Sequence, residues 1–338
     1  MIFLQGRKKI HTPFILILSL ALLAGCSSST PSVTDETTRS TSMTANNSGP
    51  SSTEGATFTI DNSVKGSRDN TPNVLVPEKS GEEVYENEVA QIDASNSDQG
   101  YIYAKYTGEI PKIKLQITGP DQITYTYNLS SNGLDEVFPL SAGDGSYLIN
   151  IYENISGNQY SLGLTATIEA TLENEFYPYL YPNQYVWFTA DMEAIAMGSE
   201  LAYNANSDLE VVTNVYNFMI HNISYDYEEA ETVQSGYLPD IDEVLSTRKG
   251  ICLDYACLMS AMLRSQNIPT HVEIGYAGTE YHAWISCYLD EKGWVNGIVQ
   301  FDGTSWQLMD PTFGSTTAED VLRSYIVQDD SYIVKYIY

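Results

Sequence analysis

KGICLDYACLMSAMLRSQNIPTHVEIGY, residues 249–276, sets a glycine and a cysteine at the mouth of an apolar run that closes on a proline. Proline disfavours helix in the residue before it, so the run predicts a helix from Cys252 to about Gln266, stopping ahead of Asn267-Ile268-Pro269. Cys252 then lies in the first helical turn. The unpaired N–H groups and the positive end of the helix dipole there favour a thiolate over a thiol. The same N–H groups, that of Cys252 included, can receive the oxyanion that forms on an attacked carbonyl. Taken alone, a buried cysteine is far more often a small core residue than a nucleophile. A nucleophile also needs a base within hydrogen-bond reach and a third group that orients the base.

Beyond Pro269 the pattern becomes that of strands, at Thr270–Tyr276, Tyr281–Leu289, Gly297–Phe301 and Ser305–Met309. Asp302-Gly303 is a tight-turn signal between the last two. Of the four histidines, His11 precedes an expected cleavage site and His221 ends an amphipathic helix, which leaves His271 and His282 as candidate bases. Alternation puts His282, Trp284 and Ser286 on one strand face. Asp310 closes the last strand ahead of Pro311, from where a carboxylate can orient an imidazole, although Asp-Pro by itself marks a turn. Near the cysteine, Asp254 would work against a thiolate unless its carboxylate turns away, and Arg248 and Lys249 would favour one. Trp284 has two readings, shielding the site from water or plain packing.

Gly250-Ile251-Cys252 opening a helix, His282-Ala283-Trp284 on a strand and Asp310-Pro311-Thr312-Phe313 after the last strand resemble, in that order, the core of the transglutaminase-like superfamily over about residues 205–315. Ile223-Ser224-Tyr225-Asp226-Tyr227 and Lys249-Gly250-Ile251-Cys252-Leu253-Asp254-Tyr255-Ala256 add to the likeness. The resemblance implies a papain-like α+β fold with Cys252 as nucleophile, His282 as general base and acid, and Asp310 fixing the imidazole tautomer. It further implies an acyl-enzyme formed on an amide bond. Water resolves that intermediate in a peptidase or amidase and a lysine amine resolves it in a transglutaminase, a choice the motif does not make. The alternative is a catalytically silent module of the same fold, serving cell-surface adhesion or assembly. Zinc is a weaker reading, because no Cys-x-x-Cys pair accompanies the Cys, His and Asp, and no Asp-x-Asp-x-Asp-Gly calcium loop is present. No metal and no cofactor are expected.

Upstream, apolar positions Leu209, Val212, Tyr216, Met219 and Ile220 make one stripe of a helix over Asp208–His221, with Asp208 as expected N-cap. Earlier still, short alternating runs at Lys112–Thr118, Thr124–Leu129, Ser146–Tyr152 and Tyr160–Leu172 are separated by Gly119-Pro120-Asp121, Ser131-Asn132-Gly133 and Gly143-Asp144-Gly145. Such punctuation predicts an all-β sandwich. Its tyrosines fit strand packing better than a carbohydrate-binding face.

The N-terminus carries Arg7, Lys8 and Lys9, an apolar run from Phe14 to Leu23, and Leu23-Ala24-Gly25-Cys26. A charged segment, a short apolar segment and small residues predict a cleaved signal peptide. A cysteine directly after it resembles a bacterial lipobox, which implies lipidation of Cys26. Between residues 27 and 56, 16 of 30 residues are Ser or Thr with no apolar periodicity, the composition of a disordered tether. Expected boundaries are therefore a signal peptide over 1–25, a tether over 26–80, a β-sandwich over 81–172 and the transglutaminase-like domain over 173–338.

With Cys26 set aside, Cys252, Cys257 and Cys287 are an odd set for an extracytoplasmic protein, which points to a free thiol. Cys257 is turned about 140 degrees from Cys252 on the helix, so those two do not face each other. A formal charge of −28, from 16 basic and 44 acidic side chains, argues against nucleic acid as a partner. Expected partners are an amide substrate in protein, peptide or peptidoglycan, and the membrane through lipidated Cys26 on its extracytoplasmic face.

Overall fold

The computed structural model describes residues 57–277, 279–290, 292–296, 299–301, 306–308 and 332–338. The chain divides into two units, one formed by residues 79–173 and the other by 57–78 together with 174–338. Along the sequence the first unit is thus spliced into the second.

The first unit is all β. Its strands are β1 (Val84–Glu86), β2 (Ala90–Asp93), β3 (Tyr101–Tyr106), β4 (Ile113–Thr118), β5 (Thr124–Leu129), β6 (Glu136–Pro139), β7 (Gly145–Ser156) and β8 (Gln159–Ala170). They pair antiparallel in two four-stranded sheets, ordered β1-β2-β3-β6 and β5-β4-β7-β8. Strict alternation builds the core: Ile113, Leu115 and Ile117 are buried, as are Tyr125, Tyr127 and Leu129, and Tyr147, Ile149 and Ile151. Tyr127 of one sheet meets Phe138 of the other edge-on, with centroids 4.9 Å apart. Tyr101, Tyr106, Tyr125, Tyr127 and Tyr147 are all buried, so these tyrosines are packing residues.

The second unit is α+β. Helices α1 (Glu193–Leu201) and α2 (Asp208–Asn222) lead to β9 (Ser224–Tyr225), α3 (Tyr227–Thr232), α4 (Ile241–Thr247), β10 (Lys249–Gly250) and α5 (Cys252–Arg264). Strands β11 (Thr270–Ala277), β12 (Glu280–Leu289), β13 (Gly293–Asn296), β14 (Val299–Phe301), β15 (Trp306–Leu308) and β16 (Tyr332–Ile337) follow. One antiparallel sheet has the order β13-β12-β11-β16, and β14 pairs separately with β15. β13 falls where the sequence pattern predicted no strand, and the strand expected from Gly297 begins at Val299. The cap of α2 also differs from expectation. Ser207, not Asp208, accepts the Glu210 N–H at 3.3 Å, because a residue with extended backbone must precede the first helical turn.

Helix α5 is the centre of this unit. Every residue from Asp254 to Arg264 is buried, which is the property of a helix covered on all sides. It packs on α1, α2 and α4 and on strands β11 and β12. Its end is fixed by Arg264, whose guanidinium donates to the carbonyls of Thr270 at 3.0 and 2.7 Å, Tyr181 at 3.0 Å and Tyr338 at 2.8 Å. Burial pulls its pKa down to about 9, which still leaves the guanidinium charged at neutral pH. One side chain thereby joins the helix end to β11, to the chain before α1 and to the residue after β16.

Residues 57–78 belong to this unit and correct the expected tether boundary at 80. The N–H groups of Gly66, Arg68 and Asn73 donate to the carbonyls of Tyr203, Ala205 and Ser265 at 2.9, 3.1 and 2.7 Å. The Arg68 guanidinium binds Asp208 and the Gln266 carbonyl. These contacts are made by backbone groups and by polar or charged side chains, so the segment shows no apolar periodicity. Residues 26–56 of the expected tether, and the signal peptide before them, lie outside the described residues.

Candidate active site

Cys252 is the first residue of α5 and half-buried. The strand just before it, β10, pairs in parallel with β9, so Lys249 and Gly250 are fixed against Ser224 and Tyr225. Ile251 caps the helix with extended backbone and a side chain that cannot accept a hydrogen bond. The first-turn N–H groups consequently have no side-chain acceptor at the cap position. That is the arrangement an incoming oxyanion requires.

Asp254 explains how this opening is held. Its carboxylate turns back, accepting the Ile251 N–H on Oδ2 at 2.7 Å and the Tyr237 hydroxyl on Oδ1 at 2.8 Å. A Cβ at Gly250 would come within 2.7 Å of the Asp254 Cβ, so only glycine fits beside the folded-back carboxylate. Burial raises the Asp254 pKa to about 6, partly offset by the two hydrogen bonds, with Glu229 and Glu243 adding to the rise. Tyr237, between α3 and α4, is the partner that sequence patterning did not reveal. No periodicity or short motif links residues 17 positions apart across a turn and a helix.

The other two thiols are held differently. Cys257 and Cys287 are fully buried, and burial pushes Cys257 well up and Cys287 up to about 12. Cys26 lies outside the described residues. Among Cys252, Cys257 and Cys287, only the first has solvent access.

His282 is buried on β12, a strand that packs against α5. Its neighbour Tyr281 lies within electrostatic reach of Cys252 and has its phenol pushed up to about 12, chiefly by lost solvation of the hydroxyl. The indole of Trp284 lies nearly parallel to the His282 ring, with an interplanar angle of 24° and centroids 6.2 Å apart. Trp284 is itself buried and donates its indole N–H to Glu273 Oε2 at 2.7 Å. Trp284 is thus packed in the interior. Asp310 lies outside the described residues.

His271 has a separate environment from His282. Its ring stacks on Trp294 at 3.6 Å and meets Tyr179 edge-on at 4.0 Å, while Nδ1 is 3.5 Å from Glu273 Oε1. Burial lowers its pKa. His221 stacks on Phe58 at the end of α2. Arg248 lies over the Phe218 ring at 5.1 Å, and exposed Lys249 reaches Asp226 at 3.8 Å. Among the described residues no group of three or more His, Cys, Asp or Glu side chains is placed to hold a metal ion.

A cysteine at an open helix start, packed on a strand that brings in a histidine, coincides with a family match over residues 195–297, described as the transglutaminase-like superfamily. This segment is a transglutaminase-like domain. The UPF0252 protein MJ1282 of Methanocaldococcus jannaschii is 29% identical over 124 residues, covering 33% of this chain and 34% of that protein. The kyphoscoliosis peptidase of Mus musculus is 30% identical over 130 residues, covering 35% of this chain and 17% of that protein. The chain therefore spans about a third or less of the length of these curated relatives. A solved structure from Cytophaga hutchinsonii, provisionally described as a cysteine protease, aligns with 17% identity over 68% of each chain at a TM-score of 0.32. The match to the transglutaminase-like family includes Cys252 and His282 and ends before Asp310.

The Asp254 environment of the transglutaminase-like domain gives a pH signature. The folded protein keeps the Asp254 proton up to about pH 6, whereas the unfolded chain releases it near 3.8. Between those values the native state binds more protons, so this group's contribution to stability falls as pH rises. Asp254→Asn removes the titration and leaves an oxygen for one of the two donors. Denaturant unfolding of both proteins at pH 4 and pH 7 is expected to show the variant gaining on the wild type as pH rises, by on the order of 3 kcal/mol at most. A pH-independent difference would mean that Asp254 is not shielded as described.

Proposed function

We infer that the protein is a thiol enzyme of the transglutaminase-like superfamily that forms a Cys252 acyl-enzyme on amide bonds. The observation that carries this reading is the half-buried Cys252 at an α5 start without a side-chain cap, with the Asp254 carboxylate engaged by Ile251 and Tyr237. In the proposed reaction the Cys252 sulfur adds to the amide carbonyl, the oxyanion is received by first-turn N–H groups, and the C–N bond breaks. His282 takes the thiol proton and delivers it to the departing amine; Asp310 fixes its tautomer. Water or a primary amine then attacks the thioester, giving an acid or a new amide and restoring the thiol.

The rest of the proposal follows the chain order. The domain is read as papain-like, and residues 79–173 as a β-sandwich module spliced into its sequence. Cys26 is taken as the lipid-modified N-terminus that holds the protein on the extracytoplasmic face of the membrane, with protein, peptide or peptidoglycan amides as substrates.

Acid-quenched intact-mass spectrometry after mixing with peptide amides, stem peptides of cell-wall type included, tests the chemistry. A mass increase equal to the acyl group is expected on Cys252, and adding a primary amine distinguishes hydrolysis from transfer. Cys252→Ala is expected to lower turnover by about 10⁴-fold or more. Absence of both adduct and turnover with every donor would favour the silent module. Cys26→Ser is expected to move the protein from the membrane fraction to the soluble fraction; retention in the membrane would remove the lipid anchor from the account.

A further inference from the structure

Strands β11 and β12 run antiparallel with Gly275 opposite His282, Glu273 opposite Trp284 and His271 opposite Ser286. These residues share one face of the sheet, because side chains of directly paired residues project to the same side. On that face Glu273 is 4% exposed and Trp284 3% exposed, so their hydrogen bond is made away from water. Each carboxylate oxygen of Glu273 has its own neighbour: Oε2 accepts the Trp284 indole N–H at 2.7 Å, and Oε1 is 3.5 Å from His271 Nδ1. His271 cannot swing to relieve this arrangement, since Trp294 stacks on it and Tyr179 closes its edge. Glu273 is consequently held from one side and holds Trp284 on the other.

Trp284 in turn lies against His282, two residues earlier on the same face, with the rings 24° from parallel. A buried indole without a fixed acceptor would have to find another partner for its N–H, and turning to do so would move the ring that flanks His282. Gly275, opposite His282, has no side chain to replace that support. The space a Cβ would take there is filled by the backbone oxygen of Ile333, 2.0 Å from the ideal Cβ position. Trp284 is thus a ring on the same face of β12 placed to influence the plane of the imidazole.

We propose that Glu273 is a positioning residue of the site: by holding the Trp284 indole through its N–H, it fixes the orientation of the His282 imidazole. The contribution to turnover rests on the acyl-enzyme reading above; the geometric part does not. A general base must lie within hydrogen-bond reach and in line with the proton it takes, and misplacement by about 1 Å can cost about 100-fold in rate. Glu273 itself touches neither substrate nor thiol in this scheme.

The test is histidine-selective NMR on the purified protein, reading the His282 ring protons that the Trp284 ring current displaces. Glu273→Gln keeps an oxygen for the indole N–H while placing an amide toward His271, so the His282 displacement is expected to survive as His271 resonances change. Glu273→Leu removes the acceptor, and the His282 displacement is expected to collapse. Trp284→Phe removes the donor, keeps a ring and is expected to leave a reduced displacement, which provides the reading if Glu273→Leu fails to fold. Thermal melting establishes which variants are folded. Unchanged His282 resonances in folded Glu273→Leu, or in folded Trp284→Phe, would overturn the proposal. In parallel, acylation of Cys252 is expected to fall by about 10- to 100-fold in Glu273→Leu and by less than about threefold in Glu273→Gln. If the wild type forms no acyl-enzyme but the ring-current pattern follows these variants, the functional reading fails while the positioning of His282 by Glu273 stands.

Discussion

The buried carboxylate of Asp254 is the contact on which the site depends. It accepts the N–H of Ile251 and so fixes where α5 begins. By accepting the Tyr237 hydroxyl it also ties the chain between α3 and α4 to that helix start. Asp254 needs Gly250 for room, and Gly250 is held by the parallel pairing of β10 with β9. Cys252 is thereby placed at an open helix end by groups on several elements, and the cap residue Ile251 offers no side-chain acceptor to the first-turn N–H groups. The Asp254 carboxylate is turned onto the Ile251 N–H and the Tyr237 hydroxyl. Desolvation makes this arrangement costly, which is visible in the raised Asp254 pKa.

At its other end α5 is fixed by Arg264, and the two anchors have complementary effects. Arg264 collects backbone carbonyls from three separate segments, so β11 starts in a defined relation to the helix it follows. β12 is then set by its register with β11, which places His282 opposite Gly275 and Trp284 opposite Glu273. A helix pinned at both ends and packed on β11 and β12 gives the unit a rigid frame for a cysteine and a histidine that are distant in sequence. Residues 57–78 add a further clamp, since Arg68 bridges Asp208 at the start of α2 and Gln266 just beyond α5.

Much of this was legible in the sequence wherever a periodic pattern or a short motif carried it. The helix opening at Cys252, the strand carrying His282 and the alternating strands from Ile113 onward follow from apolar spacing and punctuation. The segment 57–78 was not legible, because it binds by backbone pairing and by polar or charged side chains instead of by an apolar stripe. β13 was hidden for a related reason: Gly293-Trp294-Val295-Asn296 is too short to alternate convincingly. The Asp254 to Tyr237 bond and the Glu273 to Trp284 bond are specific pairings between distant residues, and composition carries no trace of either. Asp310, the third member of the expected triad, lies outside the described residues, so its part rests on the resemblance of its motif.

The central claim is that Cys252 is an activated thiol served by His282, and the most direct measurement is alkylation by iodoacetamide across pH, read for each cysteine by peptide mass spectrometry. Cys257 and Cys287, both buried in the folded protein, serve as internal references. The account predicts rapid labelling of Cys252 at pH 6 to 7, no labelling of the other two, and a loss of about tenfold or more in Cys252 rate on His282→Ala. Slow labelling of Cys252 that rises only in the alkaline range and is indifferent to His282→Ala would contradict it.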